Sequence, residues 1–243
     1  MFLAPAFAQG SARLSRHPGS TPVSPGTHIS HRNNRAVMIL KELDPFLGRP
    51  EDVPARIAAD RMAYYLRRFY RRSAEVDVLN GLRVRSGNSI AGVDHLLLHP
   101  HGLIVVQRDE AAGRVRIDAE GQWHRCSGDP HVVMGSPITH AYVQALLLKA
   151  FLDRRVHQKG FFDRLELDVL VVLSDACEIE WPATGRLPEV CGRESVHERV
   201  SERLQQCRGS TAFASGWLSA SERRTLGEFL RHSHIPAPTM ASD

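Results

Sequence analysis

Two apolar runs separated by a very short turn constrain this chain more than any other feature. "VDHLLLH" (93–99) and "LIVVQRD" (103–109) flank Pro-His-Gly, and strands joined so tightly pair antiparallel. With the turn centred on Pro100 and His101, Asp94 falls opposite Gln107 and Gly92 opposite Asp109. A two-residue and a four-residue loop give the same register. Directly opposed side chains have Cβ atoms roughly 4.5–5.5 Å apart. Strand side chains alternate, so Gln107 and Asp109 share one face and Arg108 takes the other. Asp94, Gln107 and Asp109 are therefore expected to converge. A polar cluster among Leu96, Leu97, Leu98, Ile104, Val105 and Val106 is costly unless paired or functional. The plainer reading puts it at a wet sheet edge, hydrogen-bonded internally or to a helix N-terminus.

"LELDVLVVLS" (165–174) is a near-continuous run of Leu and β-branched residues, the pattern of a strand covered on both faces. Between Val53 and Arg71, Ile57, Met62, Tyr65, Leu66 and Phe69 recur at helical spacing, which predicts an amphipathic helix. Short strands are expected at 76–80 and 82–84, and a further one at 114–118 that Gly121 turns back into "QWHRC". "SPITHAYVQALLLKAFLDRR" predicts a second helix, with Ser136 as N-cap and Pro137 in its first turn. A loop with Pro182, Gly185 and Pro188 follows, then a polar helix near 194–207. The last helix opens on Ser219 and Glu222 at capping-box spacing and ends near His232. This order predicts an α/β protein, a mixed central sheet flanked by helices.

A chain of 243 residues holds one good-sized domain with room for tails. Residues 1–37 are dominated by Pro, Gly, Ser, Thr and basic residues without apolar period, which predicts a disordered leader. The texture changes at Met38, so an over-extended start with Met38 as the native first residue is expected. Residues 38–235 form the expected domain, with its core at about 53–175, and 236–243 a disordered tail. The opening "MFLAPAFAQG" lacks a basic flank and is broken by Pro5, so it is not read as a signal peptide. No apolar run reaches the ~20 residues of a membrane helix. Cys126, Cys177, Cys191 and Cys207 are scattered without a C-x-x-C pair; reduced thiols in a cytoplasmic protein fit them, and a zinc site does not. His99, His101, His232 and His234 are read as exposed turn or tail histidines.

The formal charge of +4 permits contact with nucleic acid without demanding it. Arg67, Arg68, Arg71 and Arg72 gather at the end of the first helix. They suit the negative end of its dipole, and the same cluster is a candidate phosphate-binding surface. There is no P-loop, dinucleotide-binding glycine pattern or nucleophile elbow, and Cys177 is read as an unreactive residue at a strand end.

"MAYYLRRFY", "VLNGLRV", "VDHLLLHPHGLIVV", "GRVRIDAEGQW" and "SPITHAYVQALLLKAFL" stand in that order over about 120 residues. As a combination they resemble the NERD (nuclease-related domain) family, a branch of the restriction-endonuclease-like nuclease superfamily. The resemblance implies a restriction-endonuclease-like sheet and a site where an aspartate and a following glutamate hold Mg²⁺, with a lysine two residues on that helps place the attacking water. A divalent ion neutralises the phosphate and deprotonates water, and Mg²⁺ favours carboxylate oxygens. Asp94 matches the aspartate. Gln107 stands at the glutamate and Asp109 at the lysine, so the family's E-x-K reads Q-R-D here. The first helix usually bears a glutamate near Ala59, where the nearest acid is Asp60. The later helix usually begins its polar face with glutamine, where this chain has His140; Gln144, one turn on, is retained.

Glutamine brings no charge to hold a metal, and aspartate repels the phosphate that lysine would attract. The sequence therefore predicts a pseudoenzyme that has lost cleavage and kept the fold for binding DNA, RNA or a protein. A second reading is an active Mg²⁺-dependent nuclease with Asp94 and Asp109 as ligands, helped by Gln107 and Asp60, and Lys149 or His140 as base. A third is a protein-interaction domain without nucleic acid.

Overall fold

The hairpin forms in the expected register. In the computed structural model, which describes residues 38–110, 113–126, 132–156, 165–210 and 218–237, strand β3 (Ser89–His99) pairs antiparallel with β4 (Gly102–Asp109). The ladder runs from His99↔Gly102 to His95↔Val106 around Pro100 and His101. The expected leader 1–37 and the tail from 238 lie outside the described residues.

β4 then pairs parallel along its whole length with β8 (Glu166–Leu173). Gly102 is required here, since a Cβ on it would stand 2.0 Å from the Glu166 carbonyl oxygen. The sheet is completed by β1 (Ile39–Lys41), β2 (Asp77–Ser86) and β10 (Val190–Gly192), in the order β1-β2-β3-β4-β8-β10. It is mixed, as expected. A second sheet, β7-β6-β5-β9, contains β5 (Gly113–Ile117), β6 (Trp123–Arg125), β7 (Val132–Met134) and β9 (Cys177–Glu180).

Helix α2 (Pro137–Arg155) covers one face of the large sheet. Ala141, Ala145, Leu148 and Leu152 pack on Leu96, Leu98, Val105, Val169 and Val171, joined by Leu226 and Leu230 of α4 (Ala220–His232). The other face is covered by α1 (Val53–Tyr70) and α3 (Val196–Gly209), whose Met62, Leu66, Tyr70, Val196, Val200 and Leu204 pack on Val78, Leu97, Ile104, Val106, Leu170 and Val172. Two apolar layers thus close on β4 and β8, which explains the unbroken apolar run from Val169 to Leu173 within "LELDVLVVLS". Ser136 caps α2 and the Ser219–Glu222 capping box opens α4, both as expected. Among the described residues no helix is long and apolar enough to cross a membrane.

Several expectations need correction. The strands expected at 76–80 and 82–84 are one strand, β2, because Gly81 at φ 60° turns the backbone without ending it. The residues facing α2 change phase here, stepping from Leu79 to Leu82 on β2 and from Val93 to Leu96 on β3. The strand expected at 114–118 forms as β5 and turns back into β6 as expected, in the second sheet. His99 and His101 are buried, not exposed, because the turn they flank is covered by the start of α4: Leu218 N–H donates to Pro100 O at 2.9 Å. His234 is half-buried with its side chain largely covered, Nε2 lying 2.7 Å from Asp44 Oδ2 and Nδ1 accepting from Arg83 N–H at 3.0 Å. Ile57, expected on the packed face of the first helix, is exposed; Ala59, Met62, Ala63, Leu66 and Tyr70 form that face.

Candidate active site

The phase change at Gly81 decides where Asp94 points. Both residues lie between the Asn80↔His95 and Leu82↔Val93 pairs. The β3–β4 ladder stops at His95↔Val106, one pair short of Asp94 and Gln107. Asp94 therefore meets Arg108 instead. Its Oδ2 accepts the Arg108 backbone N–H at 2.8 Å, and its Oδ1 lies 3.4 Å from Arg108 Nη2. The other guanidinium nitrogen, Nη1, donates to Ala55 O at 3.0 Å in the first turns of α1 and to Glu110 Oε1 at 2.8 Å. Arg108 thus ties together the end of β4, the middle of β3 and the start of α1. Burial pushes the Glu110 carboxyl above its ordinary pKa; Arg108 counters this, and the nearby Asp94 and Asp109 add to it.

Gln107 and Asp109 alternate with Arg108 and follow Leu103 and Val105 toward the α2 side. They line a cavity of about 300 Å³ with Arg108, Gly135, Ser136, Pro137 and His140. The Gln107 Oε1 there is buried without a partner among the described residues. Among the described residues Asp94 hydrogen-bonds to Arg108 and to neither Gln107 nor Asp109, the two residues expected to converge with it. Asp94 meets Arg108, Gln107 lines the cavity beside α2, and Asp109 lines both that cavity and the one beside α1 with Arg61, Arg108 and Glu110.

The remaining candidates are dispersed. Gln144 is a tether: its Oε1 accepts the Gly92 N–H at 2.8 Å and so fixes α2 to β3. Asp60 pairs with Arg56 at 3.0 Å, Ala59 is buried, and Lys149 pairs with Asp153 at 2.9 Å. His140 is exposed at the mouth of the Gln107 cavity. Cys177 is held as the thiol, its pKa raised by burial and by Asp109. Arg67, Arg68, Arg71 and Arg72 lie at the opposite end of α1 from Ala55, about 20 Å along the helix axis at 1.5 Å per residue. Arg108 and Glu110 were not singled out by the sequence. The signal that places Arg108 beside Asp94 is the left-handed Gly81 on the neighbouring strand, which only the folded register makes readable.

Mg²⁺ needs several hard oxygen donors around one point. Among the described residues no three His, Cys, Asp or Glu side chains are grouped to hold a metal, and the oxygens of Asp94 are already met by Arg108. The donor set does not fit the ion.

A mixed sheet carrying an acidic residue on a central hairpin, feeding a parallel strand and flanked by helices, accords with the α/β arrangement that the sequence resemblance implies. Residues 55–174 match the family model described as nuclease-related domain, NERD, so this segment is similar to that family. The searches against curated proteins and against solved structures gave no match.

Proposed function

We propose that this nuclease-related domain does not hydrolyse phosphodiesters through the Asp94 position and serves as a binding module, with nucleic acid as its ligand. The observation that supports the reading is Arg108 on Asp94: its backbone N–H donates to Oδ2 and its guanidinium lies 3.4 Å from Oδ1, so both carboxylate oxygens already have a donor. Gln107 at the glutamate position adds no charge, and Asp109 at the lysine position adds one of the wrong sign for a phosphate. A reaction that depends on metal-activated water has no anchor in this set. The free cysteines accord with a reducing compartment, and the cytoplasm is the proposed location.

The test is to incubate the full chain with supercoiled, linear, single-stranded and flapped DNA, and with RNA, under Mg²⁺ and Mn²⁺. Binding without cleavage is the expected result. Cleavage that disappears in Asp94→Ala overturns the reading, and neither binding nor cleavage points to a protein partner instead.

A further inference from the structure

The outer face of α1 carries an arrangement that helix-dipole chemistry does not explain. Arg61, Tyr64, Arg68 and Arg71 follow one another at steps of three, four and three residues, and all are exposed. They lie opposite the buried stripe of Ala59, Met62, Ala63, Leu66 and Tyr70. A face that is only solvated mixes charge signs and gains from oppositely charged pairs three or four residues apart. Here Arg67/Arg71, Arg68/Arg71 and Arg68/Arg72 are like-charge neighbours, which destabilise a helix. Arg67 finds Glu42 at 2.6 Å. Among the described residues Arg61, Arg68, Arg71 and Arg72 have no carboxylate partner. The dipole favours cations in the last turn only, so it accounts for neither Arg61 nor the exposed Tyr64.

Two concavities mark the ends of this stripe. One, of about 250 Å³, is lined by Tyr64, Arg67, Arg68 and Arg71. The other, of similar size, opens at the carboxyl ends of the parallel strands β4 and β8, where Arg61, Arg108 and Arg193 share its wall with Asp109, Glu110 and Asp175. Crevices at such strand ends are where α/β sheets receive ligands. The stripe from Arg61 to Arg71 covers about 15 Å of helix at 1.5 Å per residue.

We propose that this face of α1 is a track for single-stranded nucleic acid, with backbone phosphates on Arg61, Arg68, Arg71 and Arg72 and a base stacked on Tyr64. The proposal rests on the binding reading above and adds the surface and the form of the nucleic acid. Guanidinium groups suit phosphate bidentately. A duplex hides its base faces, whereas a single strand offers them to an aromatic side chain, the combination used by single-strand binders. An anionic membrane is disfavoured because the main apolar stripe of α1 is buried in the core.

The test is fluorescence anisotropy of the full chain in EDTA, with a labelled 20-nucleotide oligothymidylate, a hairpin duplex and a polyglutamate peptide as probes. The single strand is expected to bind tightest, with affinity falling steeply as salt rises. Tyr64→Ala is expected to weaken it about tenfold and Tyr64→Phe to restore it. Arg68→Glu with Arg71→Glu is expected to abolish binding and, both sites being exposed, to leave the melting temperature unchanged. Single-strand binding that ignores these substitutions, equal or tighter duplex binding, no binding, or polyglutamate binding as tightly and indifferent to Tyr64 would each overturn the proposal. Because EDTA removes any cleavage, this result is independent of the Asp94 question: Asp94-dependent cutting together with Tyr64-dependent binding would sink only the non-cutting reading.

Discussion

Arg108 donates to both carboxylate oxygens of Asp94, through its backbone N–H at 2.8 Å to Oδ2 and through Nη2 at 3.4 Å to Oδ1. The chain supplies its own cation to the one acidic residue that its family motif preserves. Because Arg108 also reaches Glu110 and Ala55 O, the same side chain that meets the carboxylate braces α1 against the sheet end.

Arg108→Ala is accordingly expected to destabilise the protein by about 1–2 kcal/mol, the range of a charged hydrogen bond that is partly exposed. Asp94 and Glu110 would then be left with no cation between them, so Mn²⁺ is expected to raise the melting temperature of the variant and not that of the parent. Urea denaturation and thermal melts with and without Mn²⁺ measure both effects. A variant as stable as the parent would show that the bracing role is wrong.

Gln144 is expected to matter for stability and not for chemistry. Gln144→Ala removes the acceptor of the Gly92 N–H and is expected to cost about 1 kcal/mol in urea unfolding. Gln144→Glu keeps an oxygen at that position and is expected to recover most of the loss.

The buried Arg223–Asp77 pair gives a pH-dependent test. Arg223 Nε lies 3.2 Å from Asp77 Oδ2 and its Nη2 donates to Ala74 O at 2.7 Å, with both side chains almost fully buried. Arg223→Ala is expected to cost about 3–5 kcal/mol at neutral pH, since it leaves an uncompensated buried charge. Burial already raises the Asp77 pKa against the pull of Arg223. A carboxyl with a raised folded pKa contributes stability below its unfolded pKa and loses it as pH rises through the folded value. Losing Arg223 raises that value further, so the gap between variant and parent is expected to narrow as pH falls. Denaturation at pH 7 and pH 5 checks the sign.

Two buried histidines set an acid limit. Burial lowers His95 to about 4 and His99 to about 3. The folded state therefore holds fewer protons than the unfolded state once pH drops below the ordinary value of 6.5. Stability is expected to fall with decreasing pH from there down to the folded values, by about 1.4 kcal/mol per pH unit for each histidine. His95→Gln is expected to flatten the slope by one proton in urea titrations between pH 7 and pH 5; an unchanged slope would count against a neutral buried His95.

The hairpin register was legible because turn length and strand alternation fix it locally, and the caps at Ser136 and Ser219 follow from side-chain chemistry one turn away. The strand 166–173 announced itself through the apolar run from Val169 to Leu173. What the sequence hid was non-local. Asn80-Gly81 reads as a break between two strands, yet the chain continues through it and shifts the phase of both β2 and β3, which carries Asp94 to the α1 side. His99 and His101 look like turn residues, and their burial depends on α4, more than a hundred residues away. The short strands β1, β7, β9 and β10 take their structure from neighbours rather than from their own three or four residues.

Isothermal titration of Mn²⁺ into the intact protein and into Asp94→Ala addresses the site most directly. If Arg108 stands in for the divalent ion, the two proteins give the same heats and neither shows a saturable site attributable to Asp94. Stoichiometric Mn²⁺ binding by the parent that vanishes in Asp94→Ala would contradict the account.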